Sequence, residues 1–466
     1  MTHPRRRTRL LAPAVVTALV VSLAACSSDD SGGDGDGSTT LRIATMDNPD
    51  LERLRELSDA FSEEHPDVTI DWVVQDENRI RQTISTDVGT QAGRFDVVTV
   101  GAYESEVWAD RDFLTPLTDM PPGFNAEDFI PAVRDALSDG DELQAAPFYG
   151  ESMVTMYRQD FLTEAGVDMP DEPTWDDILA AAEELDAAGA GGADGTAPIC
   201  IRGKAGWGEN VALPSSMAHT YGARWFDEDW TPQLDSEEWT ETFSDYVALA
   251  QYASGSGDSG DIAEMGYQEN LEAFAAGDCA IWTDTTVAAS YLTDPATSEV
   301  AGDVAFAAAP RHGSGRETHW LWTWALAIPD SSTQKDLAKE FITWATSNDY
   351  TELVAEHVGW ANVPPGAREE TYARQEYLDA APFAPLVHSS IEAADITDPA
   401  VGKVPYLGIQ YVAVPQFQSI GTSVGQQLTD AITGTTSLED AQENSQWVAE
   451  RITERSQMTD ESNETD

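Results

Sequence analysis

The chain has 466 residues, 41% of them hydrophobic, and carries a formal net charge of −58. That apolar content, with 14 Trp, supports sizeable cores and excludes global disorder; the length suits two or three domains or one two-lobed protein. A surface this acidic repels phosphate backbones, which excludes nucleic acid as a partner and disfavours anionic ligands, and the charge itself reads as solubility.

The N-terminus is built like an export signal. Arg5, Arg6, Arg7 and Arg9 form a positive region, and Leu10 to Leu23 a mostly apolar one that is too short for a comfortable membrane span. Leu23-Ala24-Ala25-Cys26 follows, then a Ser/Asp/Gly tract to residue 39 that reads as a flexible tether. Of the remaining cysteines, Cys200 and Cys279, an exported chain more often makes a disulfide than a metal site. No CxxC, HxxxH or HExxH occurs among the three Cys and seven His, so no metal or cofactor is called for.

Leu41–Thr45 reads as a strand, Asn48-Pro49-Asp50 as the start of a helix with Leu51, Leu54, Leu57 and Phe61 in register, and 68–74 as a second strand. A helix over 77–88 and a strand over 95–100 complete a strand–helix–strand–helix–strand run, the pattern of a parallel α/β sheet whose ligands lie beyond the strand carboxyl ends. Ala146–Ser152 then follows a polar turn and precedes a strand over 153–157; it reads as a crossing between two lobes that puts Tyr149 and Glu151 into a cleft. A second α/β region begins at Pro173-Thr174-Trp175-Asp176-Asp177, a T-x-x-D capping box whose helix runs towards Leu185. Strands over 198–201, 277–282, 304–309 and 322–328, helices over 236–252, 270–276 and 333–347, and two late helices near 423–433 and 437–454 complete the reading. Trp175, Trp239, Trp344 and Trp447 are assigned to packing.

Aromatics and polar groups meet at strand ends and loops: Tyr103-Glu104, Phe148–Glu151, Arg202–Asn210, Trp282-Thr283-Asp284, Trp320–Trp324 and Trp360-Ala361-Asn362. Such a mixture suits a polyhydroxylated ligand: indoles cover apolar C–H faces while carboxylates, amides and guanidiniums take the hydroxyls. Any one of these carboxylates is also readable as an ordinary surface charge in a chain with 83 acidic residues. Trp322 and Trp324 share a strand face, as core or as cleft wall. Glu151 with Glu209 or Asp284 raises a second reading, an acid and base pair for glycoside cleavage, and a third is a structural or adhesion lipoprotein with no small ligand. No GxSxG, P-loop or zinc motif supports another enzyme class.

The stretches FDVVTVGAYES (95–105), APFYGES (146–152), RGKAGWGEN (202–210), GARWFDE (222–228), WTDTTVAAS (282–290), WLWTWALAIP (320–329), GWANVPPG (359–366) and VPYLGIQYVAVPQFQSIGT (404–422) resemble the substrate-binding lipoproteins of bacterial ABC sugar importers, extracellular solute-binding family 1, and most closely their sorbitol/mannitol branch. Leu23–Cys26 likewise resembles the bacterial lipobox. The resemblance implies an α/β, two-lobed fold of the type II periplasmic-binding-protein kind, with a ligand cleft between the lobes and closing C-terminal helices. It implies a signal peptide over 1–25, a lipidated Cys26 and tether over 26–40, one lobe of 41–148 plus about 310–360, a second of 149–309 plus about 361–454, and an acidic tail over 455–466. The expected protein is a monomer tethered by lipid to the outer face of the cell membrane. It is not an enzyme; it captures a polyol or related sugar by cleft closure and passes it to the permease subunits of an ABC importer. The implied ligand-binding set is Asn48, Glu77, Arg81, Tyr103, Tyr149, Glu151, Arg202, Trp207, Glu209, Trp282, Asp284, Trp322, Trp324, Asn362 and Tyr406, with one disulfide between Cys200 and Cys279.

Overall fold

Asn48 begins the first helix by accepting a hydrogen bond from the Leu51 N–H at 2.9 Å, with Pro49 in the first turn where no donor is needed. In this computed structural model, which describes residues 39–463 apart from 110, 190–195, 254–260 and 314, that helix spans Pro49–Leu57 and a second spans Asp59–Glu64. The single helix expected through Phe61 is divided at Ser58, whose hydroxyl donates back to the Arg55 carbonyl at 2.7 Å. The export signal and Cys26 lie outside the described residues.

Among the described residues eleven strands occur in chain order: β1 (Thr39–Met46), β2 (Val68–Gln75), β3 (Val97–Gly101), β4 (Ser138–Asp139), β5 (Glu142–Leu143), β6 (Ala145–Glu151), β7 (Met153–Arg158), β8 (Ala197–Cys200), β9 (Cys279–Thr285), β10 (Val304–Ala308) and β11 (Trp322–Ala327). β1 runs parallel to β2 and to β3, as helical crossovers require, and β11 enters antiparallel between β3 and β6. The first sheet has the order β2-β1-β3-β11-β6 and the second β10-β7-β9-β8; β4 and β5 form a separate hairpin. Among the described residues no helix is long and apolar enough to cross a membrane.

Only Ser152 separates β6 of the first sheet from β7 of the second. The boundary expected at residue 148 therefore falls inside a strand: Tyr149 and Glu151 pair with Trp324 and Trp322 in the first sheet. The junction is pinned from several directions. The Ser152 N–H donates to the Thr286 hydroxyl at 3.1 Å, and the Thr286 N–H donates to the Ser152 carbonyl at 2.8 Å. Ser390 donates to the Ser152 hydroxyl at 2.9 Å and the Met153 carbonyl at 2.8 Å. A later stretch of chain presses backbone to backbone here: Gly150 N–H donates to the Pro365 carbonyl at 3.0 Å, and a Cβ on Gly366, at φ +70°, would lie 2.1 Å from the Gly150 carbonyl oxygen. Side chains are excluded at both glycines by that approach.

The T-x-x-D capping box at Thr174 and Asp177 forms as read. Helices that the sequence reading does not place include Ala102–Ala109, Gln159–Ala165, Ala212–Tyr221 and Ala384–Glu392. Ala212–Tyr221 is buried on every side and so carries no amphipathic period to read. Cys200 and Cys279 form a disulfide joining β8 to β9, with Cα atoms 5.6 Å apart, inside a small core that includes Val154, Met156, Phe274 and Trp282. The C-terminal helices Phe417–Ile432 and Leu438–Asn463 pack on each other. Trp447, assigned to packing from its sequence, is instead 59% exposed on the last of them.

Candidate functional site

On the first sheet's side the site is organised around Arg81. It stands on the helix Glu77–Thr90 that follows β2, and its Nε donates to Glu77, one turn back, at 3.0 Å. Its Nη1 donates to Glu104, a buried carboxylate on the helix immediately after β3 that also accepts the Gly101 N–H at 3.2 Å. Burial opposes the Arg81 charge, but Glu104 and Glu77 outweigh it and hold the guanidinium above the usual arginine range. So fixed, the guanidinium lies 4.5 Å from the Trp324 ring centroid, 5.2 Å from Trp207 and 5.3 Å from Trp322. Trp322 and Trp324 lie on one face of β11, edge to face at 5.4 Å. Trp322 reaches this position because residue 101 is glycine: a Cβ there would be 2.3 Å from the indole. Beside this group, the Tyr149 hydroxyl accepts from Asn48 Nδ2 at 3.0 Å, while Asp50 takes Arg53 at 2.9 Å.

The second sheet's side is organised around Arg202, in the loop after β8. Its Nε and Nη2 hold both oxygens of Asp284, at 2.9 and 2.6 Å, and its Nη1 donates to the Gly208 carbonyl at 2.9 Å. Glu209 lies 3.9 Å away and accepts the Tyr267 N–H at 3.0 Å. The faces of the guanidinium meet Tyr267 at 5.0 Å and Trp320 at 5.8 Å. The loop is clamped to the helix Phe417–Ile432 through Asn210, which donates to the Gly425 carbonyl at 2.9 Å and the Thr429 hydroxyl at 3.0 Å. Gly421 leaves room for Trp207, whose Cβ would be 2.7 Å from any side chain placed there. Trp207 is thereby delivered onto the opposite side, 5.2 Å from Tyr103 and 5.9 Å from Trp322.

Glu151, at the end of β6, stands between the two arrangements. Burial pushes its carboxyl up to about 8; the Thr285 hydroxyl and Arg202 pull it down, and Asp284 and Glu77 push it up again. Burial likewise raises Glu209 and Asp50 in spite of their cationic neighbours. Carboxylates, guanidiniums, amide and phenol thus face one another between indole walls, which is hydrogen-bonding capacity for hydroxyls rather than a set of metal ligands.

The structure brings Glu77, Arg81, Tyr103, Trp207, Trp322 and Trp324 together, sets Glu151, Arg202, Glu209 and Asp284 beside them, and joins Asn48 to Tyr149. Asn362 sits apart, donating to Asp294 at 3.5 Å while its carbonyl accepts from Arg53 at 3.1 Å. Two expected ligand residues are core instead. Trp282 is 0% exposed and packs on Tyr267 and Phe274, because it lies in mid-strand two residues before Asp284, under the helix Tyr267–Ala276. Tyr406 is buried, its hydroxyl accepting the Trp225 N–H at 3.1 Å and its ring against Phe226. Glu104, Asp50 and Tyr267 are missing from the expected set. Tyr267 precedes the helix read from residue 270, and only the longer helix brings it to the site.

Residues 48–352 match the model of the bacterial extracellular solute-binding protein family. A mannitol-binding protein of Pseudomonas aeruginosa is 45% identical over 405 residues, covering 87% of this chain and 91% of its own length. The solved structure of an ABC transporter solute-binding protein from Agrobacterium vitis, with bound D-mannitol, matches with a TM-score of 0.84 at 45% identity, over 90% of this chain and 99% of that one. Maltose-bound T. maritima MalE3, at 20% identity, shares the fold with a TM-score of 0.72 over 89% of this chain and 99% of its own. The fold is the two-lobed one of periplasmic sugar-binding proteins, and the family's location is periplasmic or extracellular. Its members are binding proteins of ABC transporters, which excludes the glycoside-hydrolase reading. The chain belongs to the bacterial extracellular solute-binding protein family.

Proposed function

We propose that the chain is the receptor of an ABC importer for a linear polyol, D-mannitol or D-sorbitol, held between the lobes and released to the permease subunits. The observation that carries this is the meeting of Arg81 with its indoles and the Arg202–Asp284–Glu151 group at one place between the two sheets. Flat apolar walls with acceptors and donors on either side match a chain of carbons bearing hydroxyls. The 45% identity to a mannitol-binding protein and to a D-mannitol complex supports the same ligand class.

In this reading the ligand set is Asn48, Glu77, Arg81, Tyr103, Tyr149, Glu151, Arg202, Trp207, Glu209, Asp284, Trp322 and Trp324, with Asn362 near the rim. The lobes follow the sheets, exchanging at Ser152, between β10 and β11, and again near Gly366. Closure is favoured by contacts made only when both lobes meet the ligand. The protein works as a monomer, anchored through lipid on Cys26 after cleavage of residues 1–25.

Titration calorimetry with D-mannitol, D-sorbitol, D-arabinitol and maltose tests the ligand class. Saturable heat with an alditol, and recovery of that alditol unchanged, is the expected result; heat with maltose alone overturns it. Mass spectrometry of the N-terminal peptide tests the anchor: diacylglyceryl on Cys26 is expected, and a free thiol there overturns it.

A further inference from the structure

The guanidiniums of the cleft are already matched by protein carboxylates. Arg81 is held by Glu77 and Glu104, and Arg202 is gripped bidentately by Asp284 with Glu209 nearby. Neither has its charge left over for a ligand anion. Glu151 is the opposite case. Among the described residues no ion pair reaches it; it has the Thr285 hydroxyl, and it faces Asp284 and Arg202 from the second side, Glu77 from the helix after β2, and Tyr149 and Tyr267. Paired guanidiniums beside a carboxyl with no ion pair of its own, at the end of β6, leave the cleft with acid to spare, which favours a ligand that brings a positive charge.

Resting on the polyol reading, we propose that the cleft takes a second class of ligand, protonated amino alditols whose ammonium lies against Glu151, and rejects the corresponding anions, aldonates and alditol phosphates. The ammonium replaces the Glu151 proton, so the cleft's net charge is the same with either ligand class. An aldonate carboxylate meets the same surplus of acid with no guanidinium to receive it, and repulsion in an enclosed site is severe.

The test is calorimetry of the whole chain at about pH 7, in buffers of different ionisation enthalpy, with D-mannitol, 1-amino-1-deoxy-D-mannitol and D-mannonate. The amine is expected within about tenfold of D-mannitol in Kd and mannonate roughly 100-fold weaker or worse. Amine binding is expected to release a proton to the buffer that D-mannitol binding does not. Glu151→Gln, checked for folding by its melting temperature, should weaken the amine about tenfold more than it weakens D-mannitol and abolish the proton release. Binding of D-mannitol with an amine over 100-fold weaker, or with mannonate as tight, overturns this inference and leaves the polyol reading standing. Heat with the amine but none with D-mannitol does the reverse, and heat with neither overturns both.

Discussion

Each side of the cleft holds a largely covered arginine, and the two are held differently. Arg202 is tied in its own plane, with two bonds to one carboxylate and a third to a carbonyl, and its partners Asp284 and Gly208 belong to the same side. Arg81 is tied at its edge to Glu77 and Glu104 and leaves its face to indoles from both sides, Trp322 and Trp324 of β11 and Trp207 of the Arg202 loop. In-plane bidentate pairing fixes a guanidinium as a strut. Face contact with rings that arrive from elsewhere is non-directional and can form or part as the sides approach. The first arrangement therefore holds its own side together, and the second joins Arg81 to rings of both sides.

The largest expected effect is on the strut. Arg202→Ala leaves Asp284 buried without its cation and should lower stability by about 4 kcal/mol, besides removing binding; a thermal melt unchanged from the native protein would break the comparison. Removing the disulfide with Cys200→Ser and Cys279→Ser reopens a separation of 79 residues on the same side and should lower stability by about 3 kcal/mol in denaturant unfolding. If ligand affinity falls in step with stability, the disulfide bears on the site as well as on its core. Arg81→Lys keeps a cation for Glu104 and Glu77 but loses the flat guanidinium face that meets the rings, and should cost about 2 kcal/mol in affinity. Its signature is a faster ligand off-rate with a smaller change in melting temperature than Arg202→Ala gives; equal losses in both quantities would make Arg81 a second strut.

The smallest effect is in the pH dependence. Glu151 holds its proton up to about 8, above the ordinary value of 4.5, so between these values the folded chain binds more protons than the unfolded one. Stability contributed by that proton is present at low pH and is lost as pH rises through about 8. Melting temperature against pH for the native protein and Glu151→Gln should diverge as pH rises through this window, the variant gaining on the native protein. Parallel curves would return Glu151 to an ordinary solvated carboxylate.

The wrong assignments share a cause. Trp282 and Asp284 sit on the same face of one strand, and both read as aromatic and carboxylate at a strand end; strand period puts them together but does not say where the covering helix stops. Tyr406 lies in a stretch without regular spacing, and only its bond to the Trp225 N–H, 181 residues away in sequence, explains it. Glu104 lies in a candidate stretch but outside the implied ligand set, because a single carboxylate in so acidic a chain reads equally as surface charge; its role comes from Arg81, 23 residues earlier. Ala212–Tyr221 is not legible in the sequence because a helix buried all round has no polar face.

The sequence by itself determined the strand–helix alternation, the capping box at Thr174, the grouping of Trp322 with Trp324 and the candidates at Arg81, Arg202, Glu151 and Asp284. Those are local: they follow from period two, period 3.6 and end chemistry within a few residues. Tertiary structure alone decided that the exchange of sheets falls at Ser152, that Arg81 is caged by rings from two places in the chain, and that burial pushes the Glu151 carboxyl up. Burial, charge balance and the approach of one backbone to another, as at Gly150 and Gly366, depend on segments over 200 residues apart in the chain, and no local pattern encodes that meeting.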